Sequence, residues 1–289
     1  MANSAVLLID CPDRRGLVAR VSSLLYEHGG NILHADQHND QALGLFFMRV
    51  EWAFENTDDE RSARGFEDFR NAFAPLAEEL EMRWSLTSST HRPRVALFCS
   101  RYLHCVADLL QRWHSGELRC DFSVIVSNHR DVEALAGFYG VPFEHVEATA
   151  ATREAAEARQ VALLEERGIE LVVLARYMQI LTPAFISRYP SRIINVHHSF
   201  LPAFTGARPY HAAHGRGVKL IGATSHYVTE VLDDGPIIEQ DVARISHRDQ
   251  VEDLVARGRD LERVVLSRAL RWHLERRILC YGNKTVVFD

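Results

Sequence analysis

From Arg192 to Asp241 the chain reads RIINVHHSFLPAFTGARPYHAAHGRGVKLIGATSHYVTEVLDDGPIIEQD. Apolar letters from Arg192 to Val196 indicate one strand, and those from Lys219 to Val228 indicate a second. The turn after the second strand ends at Gly235-Pro236, a dipeptide that breaks regular structure. Polar side chains therefore stand at strand ends and in the loops that follow, where ligands bind in open α/β sheets.

The polar residue types in this stretch suit attack on a carbonyl carbon. Asn195 offers an N–H donor to a developing oxyanion, and His197 is the commonest kind of general acid near neutral pH. A carboxylate from Asp233 or Asp234 can orient the imidazole or position a water molecule. Because the chain contains no G-x-S-x-G nucleophile motif, we expect direct transfer to water or to an amine without a covalent intermediate.

Strands alternate with helices before this stretch as well. Arg94–Cys99, Phe122–Ser127 and Phe143–Val146 have strand patterns, with helical segments between them. Glu170–Ala175 is a continuous apolar run, which indicates a strand buried on both faces. This alternation predicts an α/β fold with a doubly wound, mostly parallel, Rossmann-like sheet.

The first part of the chain has a different pattern. Its strands and helices follow the order βαββαβ, which predicts a ferredoxin-like unit over residues 1–86. TSSTHRP at residues 87–93 is polar and ends in proline, so it predicts a linker. Residues 94–289 are then expected to form the catalytic domain.

The letters D-R-R-G-L-V-A-R-V-S-S-L-L-Y-E-H-G-G-N-I resemble the ACT domain, a regulatory module that often binds small amino acids. The resemblance implies an effector site at Asp13, Gly16, Gly30 and Asn31, often at a dimer interface, and a homo-oligomer. A purely structural reading stays open. In that reading Gly16 serves helix entry, Gly30 gives a left-handed helix end, and the module only drives oligomerisation.

The letters N-V-H-H-S-F-L-P, G-A-R-P-Y-H and H-Y-V-T-E-V-L-D-D-G-P-I-I resemble the core of the folate-dependent formyltransferases. The second histidine, S-F-L-P-A-F and G-P-I-I-E-Q-D resemble the formyltetrahydrofolate deformylase branch of that family. The resemblance covers about residues 94–289. It implies hydrolysis of 10-formyltetrahydrofolate to formate and tetrahydrofolate by a hydrolase of a linear amide C–N bond, which supplies formate for purine synthesis and balances the one-carbon pool.

The same resemblance assigns residues to roles. It implies Asn195 as oxyanion donor, His197 as general acid or oxyanion partner, and Asp233 as the group that binds and activates water. The adjacent Asp234 is set aside by motif alignment alone. Folate contacts are implied at Met178, Gln179, Ile180 and Leu181, with Arg208 and His211 flanking the site; a packing role for these residues stays open.

The turn after the strand at Arg94–Cys99 bears on the choice between hydrolysis and transfer. It reads Cys99-Ser100-Arg101-Tyr102-Leu103-His104 and contains no glycine. The purine-pathway relative that formylates glycinamide ribonucleotide has a Gly-rich turn there for the nucleotide phosphate. The difference argues against a phosphorylated acceptor and favours hydrolysis; formyl transfer to an unphosphorylated amine is the alternative.

Composition bounds the remaining possibilities. The 289 residues are 47% hydrophobic and 25% charged, with a formal net charge of -6, which argues against a general nucleic-acid binder. No run approaches ~18 apolar residues, so we expect no membrane span. The N-terminus lacks a signal-peptide pattern. Five scattered cysteines without C-x-x-C suggest reduced thiols in a cytoplasmic protein.

Two rival readings remain at this stage. His211 and His214 are three residues apart, near other histidines and aspartates, and zinc hydrolases use such ligands. Their spacing matches no H-E-x-x-H pattern, and the resembled fold needs no metal, so we expect no metal and no cofactor apart from the folate substrate. A non-enzymatic amino-acid sensor is the other rival, but the complete Asn-His-Asp set argues against it.

Overall fold

The computed structural model describes residues 4–54, 59–149, 151–203 and 209–288. These residues form two compact units. The first contains the described residues up to His91, together with Glu275–Tyr281 and those from Val286 onward. The second contains Arg92–Leu274 and Gly282–Thr285. Within the described ranges, no helix is long and apolar enough to cross a membrane.

The first unit is the ferredoxin-like βαββαβ arrangement that the sequence predicts. Its elements are β1 (Ser4–Pro12), α1 (Leu17–Glu27), β2 (Gly30–Asp40), β3 (Leu45–Phe54), α2 (Asp59–Glu79) and β4 (Arg83–Ser88). The strands form an antiparallel sheet in the order β2-β3-β1-β4. Side chains from β1, α1 and α2 share one core, including Leu7, Val21 and Phe69.

The other face of this sheet is covered by the end of the chain. Because side chains alternate along a strand, Leu8 and Phe47 point away from the helices. They pack with Leu279, Tyr281 and Phe288. The structure therefore differs from the expected division at its C-terminal end, since the last residues group with the first unit and not with a domain spanning 94–289.

The second unit is built on a seven-stranded sheet. Its strands are β5 (Arg94–Cys99), β6 (Asp121–Ser127), β7 (Phe143–His145), β8 (Leu171–Ala175), β9 (Ile193–His197), β10 (Leu220–Tyr227) and β11 (Ile237–Arg244). Its helices are α3 (His104–His114), α4 (Glu133–Tyr139), α5 (Arg153–Glu166), α6 (Pro183–Ile186), α7 (Pro209–Arg216) and α8 (Val251–Leu274). Two short strands, β12 (Ile278–Tyr281) and β13 (Lys284–Val287), pair near the chain end.

Strand order in the large sheet is β11-β10-β9-β8-β5-β6-β7. The five strands from β9 to β7 are parallel, whereas β10 is antiparallel to both of its neighbours, β9 and β11. All five residues of β8 are buried, as the continuous apolar run predicts. The chain winds in opposite directions on the two sides of β5 and β8, which creates a crevice at their carboxyl ends.

Candidate active site

A cavity of about 290 Å³ lies at the carboxyl ends of β8 and β9. It brings together three segments that are far apart in the sequence. The loop after β8 contributes Met178–Leu181, β9 contributes Asn195 and His197, and the loop after β10 contributes Asp233. The three residues that the sequence singles out for catalysis therefore share one cavity with the expected folate-contacting loop.

His197 and Asp233 are paired at the centre of this cavity. The Nδ1 atom of His197 lies 3.3 Å from Oδ2 of Asp233, and both side chains are largely buried. Burial raises the pKa of Asp233, but hydrogen bonding from His197 and the nearby imidazoles outweigh it, so the pKa is below its ordinary value. Asp233 is therefore ionised near neutral pH, and it accepts the Nδ1 proton of His197.

The other ring nitrogen of His197 is available for chemistry. Its Nε2 atom is buried and has no hydrogen-bond partner among the residues that the structure describes. Buried polar atoms are seldom left unpaired in folded proteins. Because Asp233 fixes the proton of Nδ1, this Nε2 can act as a base in the neutral ring or as a donor in the imidazolium.

His226 orients the side-chain amide of Asn195. The sequence analysis does not assign this role to His226. Its Nδ1 lies 2.9 Å from the carbonyl oxygen of Tyr227, which only accepts, so Nδ1 carries the proton. Its Nε2 then accepts a hydrogen bond from Nδ2 of Asn195 at 3.2 Å. Burial lowers the pKa of His226, which keeps the ring neutral. One N–H of the Asn195 amide is thereby used, and its second N–H can donate to a substrate oxygen.

Strand pairing explains this contact. In the antiparallel register of β9 and β10, His226 stands opposite Asn195. Opposing side chains on one face of a sheet are neighbours. Only the register could have revealed His226, since its spacing along the chain from Asn195 carries no signal.

Asp233 stands in a strained turn that a glycine supports. Its φ angle is 56°, in the left-handed region that non-glycine residues seldom adopt. At Gly235 an added Cβ atom would lie 1.7 Å from the carbonyl oxygen of Tyr227, so only glycine fits against β10. This close packing turns Asp233 inward, with its side chain 14% exposed, while Asp234 is exposed.

Ser100 fixes the loop that follows β8. Its hydroxyl accepts a hydrogen bond from the backbone N–H of Met178 at 3.0 Å and donates to Oδ1 of Asn128 at 2.7 Å. The glycine-free turn after β5 thus uses a side chain to position the neighbouring loop. Met178 and Ile180 remain half exposed at the cavity rim, where a flat heteroaromatic ring would cover them.

The remaining expected folate contacts are placed differently. Arg208 lies outside the described residues. His211 does not line the first cavity; it lines a second cavity of about 270 Å³. Arg176 and His198 line both cavities, and His198 is buried. His211 on α7 therefore does not share a cavity with the Met178–Leu181 loop, and its contact with folate stays a prediction.

The expected effector residues do not converge within one chain. Asp13 accepts a hydrogen bond from Nδ2 of Asn39 at 3.0 Å, near Gly16, which precedes α1 with φ 88°. Asn31 is exposed near the opposite end of β2. Eight residues separate Asn31 from Asn39 along this strand, or about 26 Å at ~3.3 Å per residue.

The glycines at the start of β2 have separate roles. The left-handed helix end belongs to Gly29, with φ 69°. Gly30 instead leaves room for Trp52, since an added Cβ would lie 2.9 Å from Cδ1 of that ring. The structural reading of Gly30 as a left-handed helix end is therefore wrong, and glycine is needed there for close packing against Trp52.

His211 and His214, the candidate zinc ligands of the sequence analysis, are exposed on α7. Within the described ranges, the grouping with metal-ligand geometry is a different one, His104 with Cys105 and Glu262. There Nε of Arg176 lies 3.4 Å from Oε2 of Glu262. A guanidinium in that position repels a second cation, so these donors do not suit a metal ion.

Family models match both parts of the chain. The Formyl transferase model matches residues 93–270, and the ACT domain model matches residues 5–51. The first match contains all the residues that line the two cavities. The second lies within the ferredoxin-like unit.

Formyltetrahydrofolate deformylases match the chain over nearly its full length. A formyltetrahydrofolate deformylase from Synechocystis sp. is 52% identical over 285 residues, covering 99% of this chain and 98% of the relative. The crystal structure of a formyltetrahydrofolate deformylase from Pseudomonas syringae pv. tomato has a TM-score of 0.95 at 50% identity, covering 100% of this chain and 95% of that one. Glycinamide ribonucleotide transformylase 1 from Symbiobacterium toebii is similar over only 69% of this chain and 95% of its own, with a TM-score of 0.64 and 31% identity.

Proposed function

The chain belongs to the formyltetrahydrofolate deformylase family, and we propose that Asn195, His197 and Asp233 carry out its reaction. The reaction is hydrolysis of 10-formyltetrahydrofolate to formate and tetrahydrofolate. One observation carries the assignment of residues: the buried Nε2 of His197 faces no described partner, in a cavity shared with Asn195, Asp233 and the Met178–Leu181 loop.

Water attacks in this scheme without a covalent intermediate. Asp233 holds the water and accepts one of its protons as the water oxygen bonds to the formyl carbon. The amide N–H of Asn195 and the imidazolium of His197 stabilise the oxyanion, and each such donor contributes roughly 3 kcal/mol. The carbon–nitrogen bond then breaks as Nε2 of His197 gives its proton to the departing nitrogen. Formic acid ionises to formate, Asp233 releases the proton that it took from water, and His197 takes up a proton, so that both side chains return to their starting forms.

The folate is held by the loop after β8. Met178 and Ile180 on one side, and the exposed Val231 and Leu232 on the other, form an apolar rim around the cavity. A pterin ring between these side chains removes apolar surface from water. The backbone of this loop supplies hydrogen bonds, since Ser100 holds it in place. No metal ion or further cofactor is required by this scheme.

The ferredoxin-like unit would serve as the regulatory part of the enzyme. Its separated residues Asp13 and Asn31 fit a site built by two chains better than a site within one chain. A small amino acid bound there would couple effector binding to self-association. Analytical ultracentrifugation and titration calorimetry with single amino acids test this coupling. An unchanged molecular mass together with no heat of binding would contradict it.

The decisive assay mixes purified protein with 10-formyltetrahydrofolate, a chelator and no amine. Equal yields of formate and tetrahydrofolate are expected. Rescue of an inactive mixture by metal would contradict the metal-free scheme. Rescue by an amine would identify a transferase, the alternative that the full-length relatives disfavour.

A further inference from the structure

The second cavity adjoins the reaction centre and has no role in the scheme above. It shares Arg176 and His198 with the first cavity. Tyr102, Arg259 and Glu262 form other parts of its wall. The two cavities are therefore adjacent, with Arg176 and His198 between them.

Two guanidinium groups lie against the same aromatic ring in this cavity. The ζ carbon of Arg176 is 5.2 Å from the centroid of the Tyr102 ring, and that of Arg259 is 5.9 Å away. Both cations are within the range of attraction to the ring face. Stacking of this kind fixes the planes of the guanidinium groups and leaves their edges, which carry the N–H donors, for a ligand.

Glu262 balances only part of this charge. It is 1% exposed and accepts hydrogen bonds from Nε2 of His104 and from the hydroxyl of Tyr210, each at 2.7 Å. Its carboxylate also lies beside Arg176. One carboxylate thus faces two guanidinium groups, and the cavity has a positive balance that favours a small anion.

Arg176 is held in place by its backbone as well as by its contacts. It directly follows β8 and has a φ angle of 64°, in the left-handed region. Conformations of this kind are strained for residues with a side chain and cluster at functional sites. With this backbone conformation, the nearly buried guanidinium of Arg176, whose side chain is 10% exposed, lies at the boundary between the two cavities.

Hydrolysis creates an anion that the first cavity does not suit. Once Asp233 has released the proton taken from water and formic acid has ionised, formate lies next to an ionised carboxylate, and two like charges repel each other there. Tetrahydrofolate still fills the apolar rim at that moment. We propose that the second cavity receives the formate product between Arg176 and Arg259, and that it releases formate while tetrahydrofolate remains bound. This inference rests on the proposed function.

The ligand chemistry follows from the donors. A guanidinium edge matches the two oxygens of a planar carboxylate with two parallel hydrogen bonds. Formate is the smallest carboxylate, and it fits a cavity whose walls also include Tyr102 and His198. The buried carboxylate of Glu262 is already engaged by its donors, so it does not compete for the guanidinium of Arg259.

The test measures formate binding directly. Wild-type protein saturated with tetrahydrofolate is titrated with carbon-13 formate at constant ionic strength, and binding is followed by NMR line broadening. We expect a ternary complex with both products. Arg259→Gln should weaken formate binding by about tenfold or more, as loss of charged hydrogen bonds predicts, and Arg259→Lys should weaken it less. Arg263→Gln on the same helix, a partly exposed arginine paired with Asp260, is the matched control and should bind formate like the wild type.

Two results would overturn the inference. One is mutual exclusion of formate and tetrahydrofolate, which would place formate in the first cavity. The other is unchanged formate affinity in Arg259→Gln. Failure of the wild-type protein to hydrolyse 10-formyltetrahydrofolate would refute the proposed function instead, and that outcome is measured in a separate assay.

Discussion

Replacing Asp233 by asparagine removes the negative charge beside His197 while keeping the shape of the side chain. The two groups are 3.3 Å apart, and neither is more than 14% exposed. At an effective dielectric constant of ~20, unit charges at this distance attract by about 5 kcal/mol. This attraction stabilises the imidazolium that donates to the oxyanion and to the departing nitrogen.

The loss should appear in turnover. Since about 1.4 kcal/mol corresponds to a factor of ten in rate, we expect kcat to fall by roughly three to four powers of ten in Asp233→Asn. KM should stay near the wild-type value, because the folate contacts on the Met178–Leu181 loop are untouched. Steady-state kinetics with 10-formyltetrahydrofolate, following tetrahydrofolate release, measure both constants.

Asp234→Asn is the matched control. It is the same chemical change one residue away, at an exposed side chain, and it should alter kcat by no more than about twofold. The reasoning is refuted if Asp233→Asn keeps a rate close to the wild type. It is equally refuted if Asp234→Asn loses as much activity, since the inward turn of Asp233 would then not matter.

Three further predictions follow from the same turn and its neighbours. His226→Phe leaves a buried N–H of Asn195 unpaired and should lower kcat by about 10- to 100-fold, whereas His226→Gln retains an acceptor and should keep more activity in the same kinetic assay. Gly235→Ala forces a Cβ against β10 and should lower the free energy of unfolding by about 3 kcal/mol or more in chemical denaturation, while Gly137→Ala, which meets open space, should not. The folded-state pKa of Asp233 is lowered, so its contribution to stability is complete above the unfolded value of about 3.9 and is lost as pH falls through the folded pKa. The free energies of unfolding of the wild type and Asp233→Asn, measured by chemical denaturation, should therefore converge only below about pH 4. Convergence of the two free energies at pH 6 would contradict the lowered pKa.

Much of the candidate site could be predicted because it lies at strand ends. The apolar run of β8 and the pattern around β9 locate the carboxyl edge of the sheet, and the motif letters select Asn195, His197 and Asp233. The structure brings these residues into one cavity with the Met178–Leu181 loop. The sequence also places Ser100 as a polar residue at the end of β5. Its hydrogen bond to the loop after β8 could not be predicted, because that bond depends on which strands are neighbours.

Sequence patterns could not supply what depends on pairing between distant segments. The register of β9 and β10 decides that His226 faces Asn195, and the packing of Gly235 on β10 decides that Asp233 points inward and Asp234 outward. The position of His211 at the second cavity likewise comes from the placement of α7.

By itself, the sequence determined most of the order of strands and helices, the presence of two folding units and the residue types at the site. These properties are local, since burial periodicity and turn residues act over a few positions along the chain. Tertiary structure alone decided that the chain end covers the second face of the first sheet, and that two arginines and a buried glutamate form a cavity beside the reaction centre. Such contacts join segments separated by many residues, and their free energy is gained only when the whole unit packs.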